Sequence, residues 1–309
     1  MQIESLKLVP HPIARDQVVS TAPLRAGSSV LSTFAFATIL LDSEKGRRCD
    51  ACFRLSNANR PLRRCSGCGS YWYCNAQCML GPKLPILQLI FLSGQNFQWQ
   101  THHKRLCKVY NSYIALPKYQ ALQDHEKLDS LLLSHVLAQM SLQTNPYSFP
   151  DSHPASTLLS LLPEQRNFNG APVFCPITPP PPRDLVDQLY SRFGNNNFAI
   201  HSHLTSIGHG IFPIASRLFN HSCVPNVAPK YIFHEDQSVA MEIVALRDIL
   251  QGEEVRFYLS SWALYFCPWS SFSCLSLILI QLYFSQSIKS LNWAMVLPVV
   301  VLLANSPSI

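Results

Sequence analysis

Eight side chains able to hold a metal ion fall at interleaving intervals between residues 49 and 107: Cys49-x2-Cys52, Cys65-x2-Cys68, Cys74-x3-Cys78 and His103-x3-Cys107. Zn²⁺ takes four nitrogen or sulfur ligands in a tetrahedron, and a C-x2-C pair lets two thiolates reach one ion from a single tight turn. Four such pairs supply two closed four-ligand sites. The run holds seven of the chain's eleven cysteines. Scattered buried thiols, or disulfides, are the competing readings. Disulfides fit less well, because Met1–Asp16 carries scattered charges and two prolines with no apolar signal core, and the pair spacing suits a metal.

A second stretch is rich in hydrogen-bonding groups: Asn220-His221-Ser222-Cys223-Val224-Pro225-Asn226. By composition it is a tight turn whose polar groups are satisfied locally. A metal at His221 and Cys223 is not expected, since no partner pair lies nearby in the sequence.

The elements that must position these residues are short. Residues 17–41 are rich in Val, Thr, Phe and small residues, with Ala26-Gly27 as a turn, and predict short strands. The metal segment interrupts them. Residues 118–143 show apolar recurrence at helical spacing through Leu122, Leu128, Leu131, Leu132, Val136 and Met140. Residues 144–182 are loop-like and end in Pro179–Pro182, an extended spacer. A helix is predicted over Asp184–Phe193, with Leu185, Leu189 and Phe193 on one face. From Phe198 to Tyr258 short apolar runs alternate with Gly, Pro and Asn turns, as in small irregular sheets. No internal repeat is evident.

Composition narrows the compartment and the partners. At 309 residues the chain can bury a sizeable core in one to three domains. Charged residues make up 14%, against about 25% in ordinary soluble domains, and the deficit lies toward the C-terminal end. The net charge of +6 is a modest basic excess that suits an acidic partner such as chromatin or a nucleic acid; direct DNA contact is not expected. Metal-type thiols without a secretory signal point to a reducing compartment, nucleus or cytoplasm.

The string CDACF…RCSGCGSYWYCNAQC…WQTHHKRLC resembles the MYND finger. The resemblance implies that the first and third pairs share one zinc and the second and fourth share the other. Cys49, Cys52, Cys74 and Cys78 would hold site one; Cys65, Cys68, His103 and Cys107 would hold site two. His102 competes with His103: its spacing from Trp99 fits the family, whereas the spacing to Cys107 favours His103. The string NHSCVPN, followed by Gly252-Glu253-Glu254, resembles the SET domain of protein lysine methyltransferases. A MYND finger inserted in a split SET domain is the mark of the SET and MYND domain (SMYD-type) family. The implied fold class is α+β: a mainly β, β-clip-like SET fold split by the finger, with a helical linker. The implied boundaries are 8–48 for the first SET part, 49–107 for the finger, 108–194 for a helical and Pro-rich linker, 195–260 for the SET core and 261–309 for an atypical apolar tail.

What the resemblance implies for function is a protein-lysine N-methyltransferase that uses S-adenosylmethionine, acts on a lysine-containing protein such as a histone, and carries two structural zinc ions. Asn196 (of Asn196-Asn197-Phe198), Asn220 and His221 are the implied cofactor contacts, Tyr258 the catalytic tyrosine, and Cys223 and Pro225 the shapers of the pseudo-knot that threads this motif. A proline-rich peptide is an implied partner of the finger. Four departures stand against the family pattern. Residues 80–98 lengthen the finger. Arg15-Asp16-Gln17 replaces a glycine-x-glycine cofactor loop. The interval from Gly252 to Tyr258 is one residue short, and in a strand such a slip turns a side chain to the other face. A C-x-C-x2-C tail cluster is missing, with only Cys267 and Cys274 following. Residues 259–309 hold one charge, Lys289, and read as translated non-coding sequence. A membrane anchor is the functional alternative for that tail, yet its Ser, Pro and Gln content makes a mediocre span, so no membrane partner is expected. A catalytically inert MYND adaptor is the alternative function, motivated by the altered loop and the missing cysteines.

Overall fold

The computed structural model describes residues 5–10, 16–80, 103–143, 145–163, 171–203, 205–235 and 237–257. Strands β1 (Leu6–Val9) and β2 (Gln17–Ser20) form an antiparallel pair. After the predicted Ala26-Gly27 turn, with Gly27 at φ +80°, come β3 (Ser29–Phe34) and β4 (Ala37–Leu40). The finger then interrupts the β region, contributing β5 (Arg63–Arg64), β6 (Trp72–Tyr73) and short helices at Ala76–Leu80 and Lys104–Leu106. Helices follow at Tyr110–Ile114, Pro117–Gln120, Asp124–Met140, Pro154–Ser160, Arg183–Tyr190 and Phe193–Asn196. The chain returns to sheet with β7 (Asn197–Ser202) and β8 (Thr205–Ile211), a helix at Pro213–Leu218, then β9 (Asn220–His221), β10 (Val227–Ile232), β11 (Ala240–Ala245) and β12 (Arg256–Phe257).

Two sheets are built from both sides of the finger. The larger has the order β3-β11-β10-β12-β9; the smaller has the order β4-β8-β7. β3 and β4 therefore pair with strands some two hundred residues later, and the finger and linker are an excursion from one fold. In the larger sheet Lys230 lies opposite Glu242 and bonds it at 3.1 Å, a cross-strand charge pair of the kind that fixes register.

The apolar residues form two cores. One surrounds the helix Asp124–Met140 and takes in the finger's cysteines and tyrosines; the other fills the space between the two large sheets. Phe53 belongs to the finger by sequence but is fully buried in the second core. Gly208 makes room for it: a Cβ there would lie 2.6 Å from Phe53 Cε2 and 2.4 Å from the Ile39 carbonyl oxygen, so only glycine permits that approach.

The helix predicted within 118–143 is Asp124–Met140, with the Glu126 carboxylate accepting from the Gln123 N–H at 2.8 Å. It is not one-faced. Every residue from Ser130 to Ala138 is buried, so its polar side chains must bond inside the core. Ser130 Oγ donates to the Val173 carbonyl at 2.6 Å, and Ser134 Oγ accepts from Cys175 N at 2.9 Å. His135 bonds the Thr38 carbonyl at 2.8 Å through Nδ1 and the Tyr71 hydroxyl at 2.7 Å through Nε2. Residues 171–177, expected only as loop, are thus a strap tied to this helix. The helix Pro154–Ser160 also lies in that expected loop; Pro154 opens it and His153 Nδ1 accepts from Ala155 N at 3.1 Å. The helix predicted over Asp184–Phe193 is split into Arg183–Tyr190 and Phe193–Asn196, with Leu185, Leu189 and Phe193 buried.

Candidate functional site

The eight ligand-type side chains come together as two groups of four: Cys49, Cys52, Cys74 and Cys78, and Cys65, Cys68, His103 and Cys107. Within each group the ligand atoms lie within 4.8 Å of one another. In the first group Cys52 Sγ and Cys74 Sγ are 3.6 Å apart; in the second, Cys65 Sγ and Cys107 Sγ are 3.7 Å apart. A tetrahedron with zinc–sulfur bonds of about 2.3 Å has an edge of about 3.8 Å. A disulfide needs about 2.05 Å, so these sulfurs are spaced for an ion and not for each other.

Local structure explains the closeness. Asp50, inside the first C-x2-C turn, pairs with Lys45 and accepts the Trp72 N–H at 2.7 Å, tying that turn to β6 next to Cys74. The Asn75 carbonyl oxygen of the side chain accepts from Cys78 N at 2.9 Å and starts the helix that carries Cys78. In the second group a Cβ on Gly67 would lie 2.6 Å from Cys107 Sγ, so the turn between Cys65 and Cys68 admits no side chain there.

His103 is the imidazole of the second group; His102 lies outside the described residues. His103 Nε2 is 3.4 Å from Cys68 Sγ, close to the edge of about 3.5 Å that zinc–nitrogen and zinc–sulfur bonds of about 2.0 and 2.3 Å define. Its Nδ1 is shielded and makes no hydrogen bond among the described residues. Burial pushes its pKa down to about 3, which keeps the ring in the neutral form a metal requires. Tyr71 stacks on it at 3.9 Å, and Tyr71 is in turn bonded to His135 of the long helix. In the first group the Cys74 thiol is held down by hydrogen bonds from Cys49, Cys52 and Cys78, while the Cys78 thiol is held up.

The second candidate site is built around β9. It lies parallel to β12, with Asn220 opposite Arg256 and His221 opposite Phe257. Ser222 N donates to the Phe257 carbonyl at 2.8 Å. Asn226, buried, clamps the strand from the far side of the turn: its Nδ2 donates to the Glu254 carbonyl at 2.8 Å and its Oδ1 accepts from Arg256 N at 2.7 Å. Asn220 Nδ2 donates to Glu254 Oε1 at 3.2 Å and to the Asp16 carbonyl at 3.3 Å. Arg217, on the helix before β9, bonds the Asp16 carboxylate through Nη2 at 3.0 Å. Asp16, the neighbouring Arg217 and Asn220, and Glu254 thus meet from three distant stretches of the chain.

These strands are the setting in which the comparisons with known proteins are informative. The SET domain model matches residues 17–258. The chain belongs to the SET domain family. Among characterised relatives it is similar to N-lysine methyltransferase SMYD2 from Bos taurus and from Homo sapiens, each 25% identical over 253 residues that cover 75% of this chain and 49% of the relative. N-lysine methyltransferase SMYD2-B from Xenopus laevis is 26% identical over 270 residues, covering 82% of this chain and 54% of the relative. This SET protein is therefore of the SMYD type, and it spans about half the length of the curated relatives it matches.

The remaining expected residues of this SET protein are placed as follows. Asn196 is buried at the entry to β7, and its Nδ2 donates to the Arg192 carbonyl at 2.8 Å. Two residues on, the Phe198 ring centroid is 5.8 Å from that of Phe257 on β12. Tyr258 lies outside the described residues, as do Trp99, Cys267, Cys274, Lys289 and the apolar tail. Cys223 is exposed, with Sγ 3.6 Å from His221 Nε2. Sequence reasoning also gave no role to Arg217 or to the Tyr71–His135 bond. The asparagine that closes NHSCVPN could have been found from its motif; the other three residues have no local signal. No helix among the described residues is long and apolar enough to cross a membrane.

Proposed function

We propose that this SET protein is an S-adenosylmethionine-dependent protein-lysine N-methyltransferase braced by two zinc ions. The observation that carries the reading is the parallel pairing of Asn220-His221 with Arg256-Phe257. It sets the NHSC motif beside the strand that leads into Tyr258. When bound, S-adenosylmethionine supplies a methyl group on a positively charged sulfur, open to in-line displacement by a neutral amine. The chain's own task is alignment and exclusion of water, and alignment alone can remove several kcal/mol of barrier. Phe257 is buried against Phe198 and Phe219, so the strand pair next to the reacting region is anchored in an apolar core. An apolar channel lowers the pKa of the entering lysine by desolvation, and its proton leaves to solvent before attack. Asn196, Asn220 and His221 are assigned to the cofactor and Tyr258 to alignment of the amine. The zinc ions take no part in the transfer; Cys49, Cys52, Cys74 and Cys78 hold one, and Cys65, Cys68, His103 and Cys107 the other. A histone lysine in the nucleus, or another lysine-bearing protein in the cytoplasm, is the substrate, and the finger offers a site for a proline-rich peptide.

A second reading, an inert adaptor, is favoured by one observation: Asp16 and Glu254 already occupy the Asn220 amide. Incubating the zinc-loaded chain with methyl-labelled S-adenosylmethionine and a lysine peptide array separates the two. Transfer that disappears in Asn220→Ala supports the enzyme. Zinc-dependent capture of proline-rich peptide without any transfer or cofactor binding supports the adaptor.

A further inference from the structure

Arg217, beside Asn220, has incomplete bonding among the described residues. Its Nη2 holds Asp16, but its Nη1 is shielded from solvent and has no hydrogen-bond partner among the described residues. A buried guanidinium N–H left unpaired is costly, and such orphans in folded proteins mark an absent ion, water or ligand. The guanidinium sits where Asp16, Asn220 and Glu254 converge. The Asp16 carboxylate faces the guanidinium, and the Glu254 carboxylate faces the Asn220 amide beside it. That set complements a ligand carrying both an ammonium and a carboxylate, with a positive charge in excess.

We propose that Arg217 anchors the amino-acid end of the cofactor, with Nη1 bonding its α-carboxylate while Nη2 stays on Asp16; the inference rests on the methyltransferase reading above. The Asp16 pair fixes the plane of the guanidinium, and a pre-oriented fork loses little side-chain freedom when it binds a carboxylate. Asp16 and Glu254 are placed for the α-ammonium. The chain thereby replaces the glycine loop expected at 15–17: instead of backbone approach to the cofactor, a side chain from the helix Pro213–Leu218 reaches it.

Calorimetry on the zinc-loaded full chain tests this with two probes. S-adenosylhomocysteine carries the amino-acid end; 5′-methylthioadenosine lacks it. Arg217→Gln should weaken S-adenosylhomocysteine by roughly 10- to 100-fold, the range for a charged hydrogen bond, and leave 5′-methylthioadenosine unchanged. Arg217→Lys should recover part of the loss. Retained 5′-methylthioadenosine binding also shows that the variant is folded. Equal loss of both probes, or loss of neither, overturns the anchor while leaving the cofactor reading intact. If neither probe binds the unaltered chain, both fall.

Discussion

The finger and the region around β9 are assembled by opposite routes. In the finger, ligands come in pairs two or three residues apart, so each turn sets half a tetrahedron, and only two such halves must meet. In the region around β9 single residues meet: Asp16 with Arg217, Asn220 with Glu254. Nothing local holds them together until β3 has paired with β11 and β9 with β12. The finger is therefore robust to changes elsewhere but intolerant of losing one ligand. The region around β9 tolerates single losses but depends on the whole fold.

The sharpest break in that comparison comes from removing a ligand. Cys49→Ser should lose the zinc of site one and, with the fold, that of site two. Apparent zinc-binding energies of about 10–16 kcal/mol are folding energy in such modules, so the variant should unfold across both cores, because Phe53 four residues on fills the second. Circular dichroism and metal analysis would register it. Retention of both ions and a native spectrum would break the account of site one.

Gly67→Ala attacks site two alone. Its Cβ would sit 2.6 Å from Cys107 Sγ, so the variant should lose the second ion and keep the first. Simultaneous loss of both ions would show that the two sites are not closed independently.

Asn226→Ala removes two bonds from β12 and should lower stability by about 1–3 kcal/mol, read in denaturant, and weaken cofactor analogue binding while leaving the zinc content at two. Loss of zinc in this variant would erase the contrast between the regions.

The pH response adds a finer test. Burial holds His135 neutral, with its pKa down at about 3 against 6.5 for the free side chain. The unfolded chain binds the extra proton first, so the stability from neutral His135 is present above about pH 6.5 and is lost as the pH falls toward 3. His135→Gln should flatten that part of the stability profile relative to the unaltered chain, with both kept zinc-saturated. Arg247→Ala gives the smallest effect. The pair with Glu253 holds that carboxylate down at about 2, but the site is partly exposed, and at most about 1 kcal/mol should be lost at neutral pH.

How much was legible follows from the same contrast. Ligand spacing, the Ala26-Gly27 turn, the long helix and the NHSCVPN turn are local signals, and each could be read in the chain. The full burial of Asp124–Met140 was hidden, because Ser130, Ser134 and His135 look like a polar face until the strap 171–177 and Tyr71 are seen to satisfy them. The clamp by Asn226 and the Arg217–Asp16 pair were hidden because their partners are distant in sequence. Phe53 reads as part of the finger, and only Gly208, leaving space beside β4, shows why it belongs to the sheet core.

The most direct measurement is the metal content of the purified full chain by elemental analysis. The account predicts two zinc ions per chain, bound by Cys49, Cys52, Cys74 and Cys78 and by Cys65, Cys68, His103 and Cys107. A folded chain that contains no zinc would contradict it.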